Sequence, residues 1–233
     1  MREITQIRTL SLWIFLIPLI AINGCLLVAI NYSFLENTIF NVDMIGRTNF
    51  TIPYIDGSLS ISRASRTYPA YLIFKPSMFL TAYFLYLYWN INNQVIGNFN
   101  NTTSKKYNFK TFGVLSAIFL AIHSLLLGVD IDIKIFKLLR RIVLVSFIIF
   151  EIIAQSLLVY NFYKLKSKIK TFFNPRILKL KIVLVTILAS VAILSLPILV
   201  TSGNIHFKHA LEWNYFVGVI LFYLLTRLFW KKS

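Results

Sequence analysis

Six long apolar runs constrain the fold of this chain more than any other feature of its sequence. The runs span Leu10–Ile30, Tyr71–Trp89, Phe112–Val129, Ile142–Phe162, Ile182–Val200 and Leu211–Phe229. Each reaches or approaches the ~20 residues that an α-helix needs to cross about 30 Å of hydrocarbon. Lipid tails cannot hydrogen-bond a peptide group, so such runs must be helical. The sequence therefore predicts an all-α membrane protein, a six-transmembrane helix bundle with a long extracytoplasmic loop between helices 1 and 2.

Composition supports this class and argues against a soluble nucleic-acid binder. The chain is 58% hydrophobic, with 21 Phe and 12 Tyr, and only 14% charged, against roughly 25% in a typical globular protein. Its net charge is +16, but the bases lie beside the apolar runs, where Lys and Arg set orientation and meet anionic lipid headgroups. We expect membrane lipids as partners and no nucleic acid.

The distribution of bases predicts the orientation of the helices. Lys and Arg are more frequent in the N-terminal segment, in 105–110, in 164–181 and at the C-terminus than in the alternate connections. By the positive-inside rule, both termini are cytoplasmic. All four Trp fall at ends of the apolar runs, where indole prefers the membrane interface. The host membrane is the plasma or inner membrane in a bacterium and an endomembrane in a eukaryote.

No repeat or linker divides the sequence, so residues 1–233 are expected to form a single integral-membrane domain. The first apolar run is interpreted as a retained anchor rather than a cleaved signal, because it is long and lacks a small-x-small cleavage site. Cys25 is the only cysteine, which excludes an intramolecular disulfide. We interpret it as a small buried thiol.

Two connections stand out by length or charge. The first outer loop, about Asn31 to Pro69, is long enough to be functional. Its Phe50–Ile55 stretch is strand-like, and Asp56-Gly57 marks a tight turn. We expect a small cap over the outer end of the bundle, with a short hairpin as one form of it. The inner loop, Tyr163 to Lys181, is basic and is interrupted by Asn174-Pro175.

Ionisable side chains inside a span are costly and count as functional candidates. His123 and Glu151 lie within the third and fourth runs, at about 10 and 13 Å from their outer ends at ~1.5 Å per residue. Asn23, Thr81 and Gln155 fall at comparable positions. The sequence thus predicts an intramembrane polar belt of these five residues. It leaves two interpretations open: interhelical hydrogen bonding, or a ligand, lipid or proton site.

Metal chemistry is the weaker interpretation of the remaining polar residues. His206, His209 and Glu212 are spaced to share one helix face and could hold zinc with a water. Interfacial polar side chains explain the same spacing. Asp130 and Asp132 are interpreted as a solvated helix end. We expect no metal and no cofactor.

The junction between the outer loop and the second run combines hydroxyl side chains with three bases. Arg63, Arg66 and Lys75 are predicted to contact an anionic headgroup, since Arg binds phosphate and carboxylate bidentately. In this lipid-binding hypothesis, Asp56 and Ser62 shape the loop. Glu212 anchors the loop to the last helix.

The same junction resembles the FRAG/DRAM family of six-span membrane proteins. The similarity rests on the Ile52-Pro53-Tyr54-Ile55-Asp56 loop, the Tyr68-Pro69 segment, the aromatic start of the second run, and Glu212-Trp213 at the start of the last run. The family includes autophagy modulators, GPI-anchor remodelling factors and their prokaryotic relatives. The resemblance implies a role in lipid handling or membrane trafficking, and it supplies no catalytic residues.

The leading hypothesis is a non-enzymatic multi-pass protein that binds or positions a lipid at the outer leaflet. One alternative is an intramembrane lipid-modifying enzyme that uses Glu151 and His123 as acid and base. Another is a membrane adaptor that recruits a partner through the basic inner loop. Transport is a further possibility, although no repeat or broken helix pair favours it.

Overall fold

The computed structural model describes residues 2–35, 38–40, 49–99, 108–129, 134–201 and 203–231. Six long helices and two short ones make up its regular structure. They are α1 (Arg2–Ile30), a 3₁₀ turn (Tyr32–Leu35), α2 (Ile61–Ser65), α3 (Ala70–Phe99), α4 (Phe109–Leu126), α5 (Lys134–Lys164), α6 (Pro175–Val200) and α7 (Ile205–Phe229). The described part of the chain contains no sheet, only one isolated bridge between Phe173 and Trp230.

Five of these helices are long and apolar enough to cross a membrane: Arg2–Ile30, Ala70–Phe99, Phe109–Leu126, Leu138–Lys164 and Pro175–Ser195. The chain is accordingly an all-α, multi-pass membrane protein. The predicted sixth span, Leu211–Phe229, lies within α7, which is 25 residues long. α7 is not among the five because Glu212, Asn214 and Arg227 lower its hydropathy.

The long helices form a closed ring. Each contacts the next along the chain, from α1 with α3 through to α6 with α7, and α7 returns to pack against α1. Contiguous helices run antiparallel, as in up-down helical bundles; for α1 and α3, which the long first loop joins, Cys25 near the end of α1 contacts Ala70 at the start of α3. α7 therefore occupies the sixth position of the ring and lies between α1 and α6.

The two ends of the bundle are built from different segments. At one end, Arg8 Nη1 donates to Trp230 O at 2.9 Å, and the backbone N–H groups of Asn174 and Lys231 donate to Phe229 O and Phe172 O. The end of α7 thus meets the 165–174 connection, and α1 contributes Arg8 to the same end of the bundle. The first loop, with residues 49–66, lies at the opposite end, against the start of α7.

The hairpin considered for the first loop is not present in residues 49–60. This stretch folds back on itself instead, because Ile55 N donates to Ile52 O and Gly57 N donates to Pro53 O. These turn bonds use the backbone groups that a hairpin would pair with another strand.

α3 extends well beyond the end predicted at Trp89. The Asn-rich stretch that follows remains helical, and Asn90 and Asn92 donate side-chain hydrogen bonds to Tyr86 O and Tyr88 O one turn earlier. Local hydrogen bonds of this kind satisfy polar groups inside a helix. Trp89 consequently lies inside α3 rather than at its end.

Of the four tryptophans expected at the membrane interface, Trp13 is exposed, with 47% of its surface accessible. Trp89, Trp213 and Trp230 are fully buried. Trp89 packs so closely on α4 that a Cβ at Gly113 would lie 2.2 Å from its ring. The three buried indoles pack between helices of the bundle, as large aromatic side chains do in protein cores.

Candidate functional site

Asp56 organises the turn at the centre of the outer loop. Its carboxylate accepts hydrogen bonds from the backbone N–H groups of Ser58 at 2.8 Å and Ile52 at 2.9 Å, and from Thr51 Oγ1 at 2.7 Å. These donors favour the charged form. The bonds from Ser58 and Thr51, in that order, lower the pKa of Asp56 from 3.8 to about 2.

Gly57 brings this turn into direct contact with α7. Its φ is +60°, a left-handed conformation that glycine adopts without steric cost. A Cβ at this position would lie 1.7 Å from the backbone oxygen of His206. Only glycine permits so close an approach between the turn and the first turn of α7.

One face at the start of α7 holds the loop through four polar side chains. His209 Nδ1 is 2.9 Å from Gly57 O, Trp213 Nε1 donates to Leu59 O at 2.8 Å, and Asn214 Nδ2 donates to Tyr54 O at 2.7 Å. Glu212 accepts hydrogen bonds from the first backbone N–H groups of α2, those of Ile61 and Ser62. We call residues 51–66 the cap.

The spacing of His209, Glu212 and Trp213 explains their shared role. Positions three and four apart lie on one helix face, so His209, Glu212 and Trp213 point together at the cap. Glu212 satisfies N–H groups that the first turn of α2 would otherwise leave unpaired. The sequence signal was the polar segment that opens the last apolar run; it pointed to Glu212 but not to the contacts of His209, Trp213 and Asn214.

Tyr54 connects the cap to α1. Its hydroxyl donates to Asn23 Oδ1 at 2.9 Å, and its ring packs edge-on against Trp213 with centroids 4.9 Å apart. Burial raises the pKa of Tyr54. Asn23 also donates to Leu19 O at 2.8 Å. The structure therefore places Asn23 under the cap, not beside Glu151.

A groove of about 700 Å³ opens between α2 and the start of α7. Its described lining comprises Ser58, Arg63, Gly203, Asn204, Ile205, His206, Phe207 and His209. Arg63 follows the N-cap residue Ser60, whose hydroxyl accepts from Arg63 N at 3.1 Å. Burial, together with the charges of Arg63 and His206, lowers the pKa of His209 against the opposing hydrogen bond to Gly57 O.

The three bases predicted to share a headgroup are distributed around α2. Arg63 faces the groove at α7. Lys75 lies over the ring of Tyr71, with Nζ 5.5 Å from the centroid, and its Cε is near Gly128 at the end of α4. The carbonyl of Arg66 approaches the same glycine. The structure thus brings Arg66 and Lys75 to the end of α4 and leaves Arg63 alone among the three in the groove.

Glu151 is buried inside the bundle, with 1% of its surface exposed. Ser116 Oγ lies 2.6 Å from Glu151 Oε2, Gln155 Nε2 donates to Oε1 at 2.9 Å, and the Tyr223 hydroxyl also contacts Oε1. Gln155 additionally reaches Val219 O at 3.3 Å. The structure therefore brings together two members of the predicted belt, and adds Ser116 and Tyr223 from neighbouring helices.

His123 and Thr81 are not part of this cluster. α4 ends at Leu126, so His123 lies in its last turn. Ser116, which contacts Glu151, is about 10 Å away along that helix at 1.5 Å per residue. His123 Nδ1 has no hydrogen-bond partner in the described part of the chain. Thr81 donates to Ser77 O at 2.8 Å. The belt is thus a cluster at Glu151 with separate polar residues elsewhere.

Lys181 is the buried ionisable group that the sequence did not reveal. It was assigned to the end of the basic inner loop, yet it is 0% exposed. Its Nζ donates to Thr226 Oγ1 at 2.7 Å and lies 3.9 Å from the Phe222 ring centroid. The available signal was Asn174-Pro175: Asn174 caps α6 and Pro175 begins it, which carries Lys181 into the bundle.

Within the described residues, no three His, Cys, Asp or Glu side chains are placed to hold a metal ion. His209 and Glu212 are engaged with the cap, and His206 is exposed. No protein-family model, no curated protein and no solved structure matches this chain. The FRAG/DRAM resemblance consequently stays a prediction.

Proposed function

We propose that this protein spans the membrane six times and binds an anionic lipid headgroup in the groove between α2 and α7. The observation that carries the proposal is the lining of the groove. It contains Arg63 and two histidines and, among the described lining residues, no carboxylate. Such a lining attracts an anion, and the Arg63 guanidinium can bind phosphate bidentately.

Apolar side chains beside the groove favour a lipid over a free anion. Ile205 and Phe207 line it and are 60% and 52% exposed, and Ile55 of the cap is 80% exposed. Exposed apolar surface next to a cationic site matches an amphipathic ligand. The groove lies at the end of the helices, and in this proposal that end is at the level of the lipid headgroups.

The sixth span in this proposal is α7. It packs between α1 and α6 in the ring, and its 25 residues are long enough to cross the hydrocarbon. Its polar residues lie at its two ends: Glu212 and Asn214 bind the cap, and Arg227 lies in the last turn. The lipid role agrees with what the FRAG/DRAM resemblance implies.

The acid–base alternative receives no support from this geometry, because Glu151 and His123 lie on different levels of the bundle. No contact in the described part of the basic inner loop favours the adaptor hypothesis.

Lipid retention tests the proposal directly. We expect native mass spectrometry of the purified protein to show preferential retention of phosphatidylglycerol over phosphatidylcholine. Arg63→Gln should lower phosphatidylglycerol retention at least several-fold, because it removes the one permanent charge among the described lining residues. Lys168→Gln, an exposed base at the opposite end, is the matched control and should leave retention unchanged. Equal retention by Arg63→Gln and the native chain would refute the headgroup site.

A further inference from the structure

The hydrogen bonds of the Glu151 cluster indicate a role beyond helix packing. Glu151 lies near the middle of α5, about 20 Å from Lys164 at 1.5 Å per residue. Its partners come from three helices: Ser116 of α4, Gln155 of α5 and Tyr223 of α7. All three are neutral side chains.

Ser116 has two acceptor oxygens within reach of its single hydroxyl proton. Ser116 Oγ lies 2.8 Å from Gly113 O and 2.6 Å from Glu151 Oε2. A hydroxyl carries a single proton. When Ser116 donates it to the Gly113 carbonyl, which can only accept, the proton in the second contact must come from Glu151. The other carboxyl oxygen, Oε1, accepts from Tyr223 and Gln155.

We propose that Glu151 is a proton-binding site inside the bundle, holding its proton on Oε2 and donating it to Ser116. This arrangement satisfies every donor in the cluster while keeping a net charge out of the membrane interior, where an ionised carboxylate is costly. The proposal assigns the proton site considered for the polar belt to one atom, Glu151 Oε2. It does not depend on the headgroup site.

The cluster can also accommodate Glu151 as a carboxylate, after its proton has left. Loss of the proton breaks the Oε2–H bond and leaves a carboxylate with one negative charge. Rotation of the Ser116 hydroxyl then moves its proton from Gly113 O to Oε2, while Tyr223 and Gln155 continue to donate to Oε1. Three donors would hold the carboxylate without any movement of the helices. Such a site can exchange a proton with water or with a base that reaches it.

In the described part of the chain, the titratable groups that face Glu151 include no cation that could neutralise its charge. From α7 the facing titratable group is Tyr223, and from α3 it is Tyr88, whose ring meets that of Tyr223 at 5.1 Å. Lys181 of α6 directs its amine elsewhere, to Thr226 and the Phe222 ring. The tyrosine pair therefore separates the two buried ionisable groups.

Infrared spectroscopy tests the proposal, since a protonated carboxyl group has a C=O stretch distinct from carboxylate bands. The chain has only eight Asp and Glu residues, which keeps the spectrum simple. At pH 7 we expect a protonated-carboxyl band that loses intensity in Glu151→Gln. Tyr223→Phe should move the band to higher wavenumber, because the carbonyl oxygen Oε1 loses a donor. Asp56→Asn, which removes a carboxylate that is charged at pH 7, is the control and should leave the band in place.

The absence of a protonated-carboxyl band from the native protein at pH 7 would overturn the proposal. So would a band that persists unchanged in both Glu151→Gln and Tyr223→Phe. If Glu151→Gln does not fold, Tyr223→Phe decides the matter: a shifted band supports the site, and an unshifted one refutes it. Preserved phosphatidylglycerol retention in these variants would separate this result from the fate of the headgroup proposal.

Discussion

Two carboxyl side chains of this protein, those of Asp56 and Glu151, lie in opposite environments. Asp56 is exposed and surrounded by hydrogen-bond donors, and its charge holds the turn that presents Gly57 to α7. Glu151 is buried among neutral partners. The contrast follows from solvation, because the first carboxylate is exposed to solvent and the second is buried.

The Asp56 turn gives a pH-dependent prediction. The folded-state pKa, about 2, lies below the ordinary value of 3.8, so the carboxylate stabilises the cap fully above pH ~4 and loses this effect as pH falls toward 2. Asp56→Asn should destabilise the cap by up to about 1 kcal/mol at pH 7, since the group is exposed. Amide hydrogen exchange of residues 52–58 measures the difference.

The matched condition for this prediction is low pH. The native protein and Asp56→Asn should become alike in cap protection as pH falls below 2, because the native carboxyl group, with its pKa of about 2, is protonated there. A difference that stays constant between pH 7 and pH 2 would show that hydrogen-bond geometry, not charge, holds the turn.

At the scale of helices, close packing depends on where small residues face large ones. Gly113 of α4 lies against the buried indole of Trp89 in α3, and Gly218 of α7 faces the end of the Leu188 side chain in α6. Trp89 has no room to move, whereas the leucine methyl groups can rotate. The two glycines therefore tolerate an added methyl group differently.

Alanine substitution at these two glycines tests the packing. Gly113→Ala should lower stability by about 1–3 kcal/mol, the usual cost of overpacking, because the new Cβ would lie 2.2 Å from Trp89. Gly218→Ala should be close to neutral, since Leu188 yields and alanine favours the helix by up to about 1 kcal/mol. Thermal unfolding in detergent compares the two. Equal melting temperatures for both variants would contradict the assigned contact between α3 and α4.

For the whole molecule, the ring of helices and its two distinct ends determine which segments share a side of the membrane. The cap lies at one end, and the 165–174 connection meets the end of α7, beside Arg8 of α1, at the other. α7 must cross from the first end to the second for both facts to hold.

Cysteine labelling tests this arrangement in a Cys25→Ala background. This substitution removes the native thiol, which is buried. We expect a membrane-impermeant maleimide to modify Ile55→Cys from one side and Lys168→Cys and Lys231→Cys from the other. Labelling after detergent solubilisation provides the control for each position. If Lys231→Cys reacts from the same side as Ile55→Cys, α7 does not cross, and if Lys168→Cys does so, the two-ended geometry is wrong.

The amino-acid sequence by itself determined the class of protein and the positions of its long helices. Hydrophobicity is a local property that adds along the chain, so a run such as Phe112–Val129 predicts α4 without reference to its neighbours. The turn at Asp56-Gly57 was predictable for the same reason, because its residue types have local backbone preferences.

Only the tertiary structure decided which polar groups meet. Lys181 looked like part of a basic loop, Asn23 like a partner of Glu151, and His123 like another, yet each finds a different environment. Partners separated by tens of residues are selected by the ring order of the helices and by their rotation about their axes. Those quantities depend on packing across the whole bundle, and no pattern along the chain encodes them.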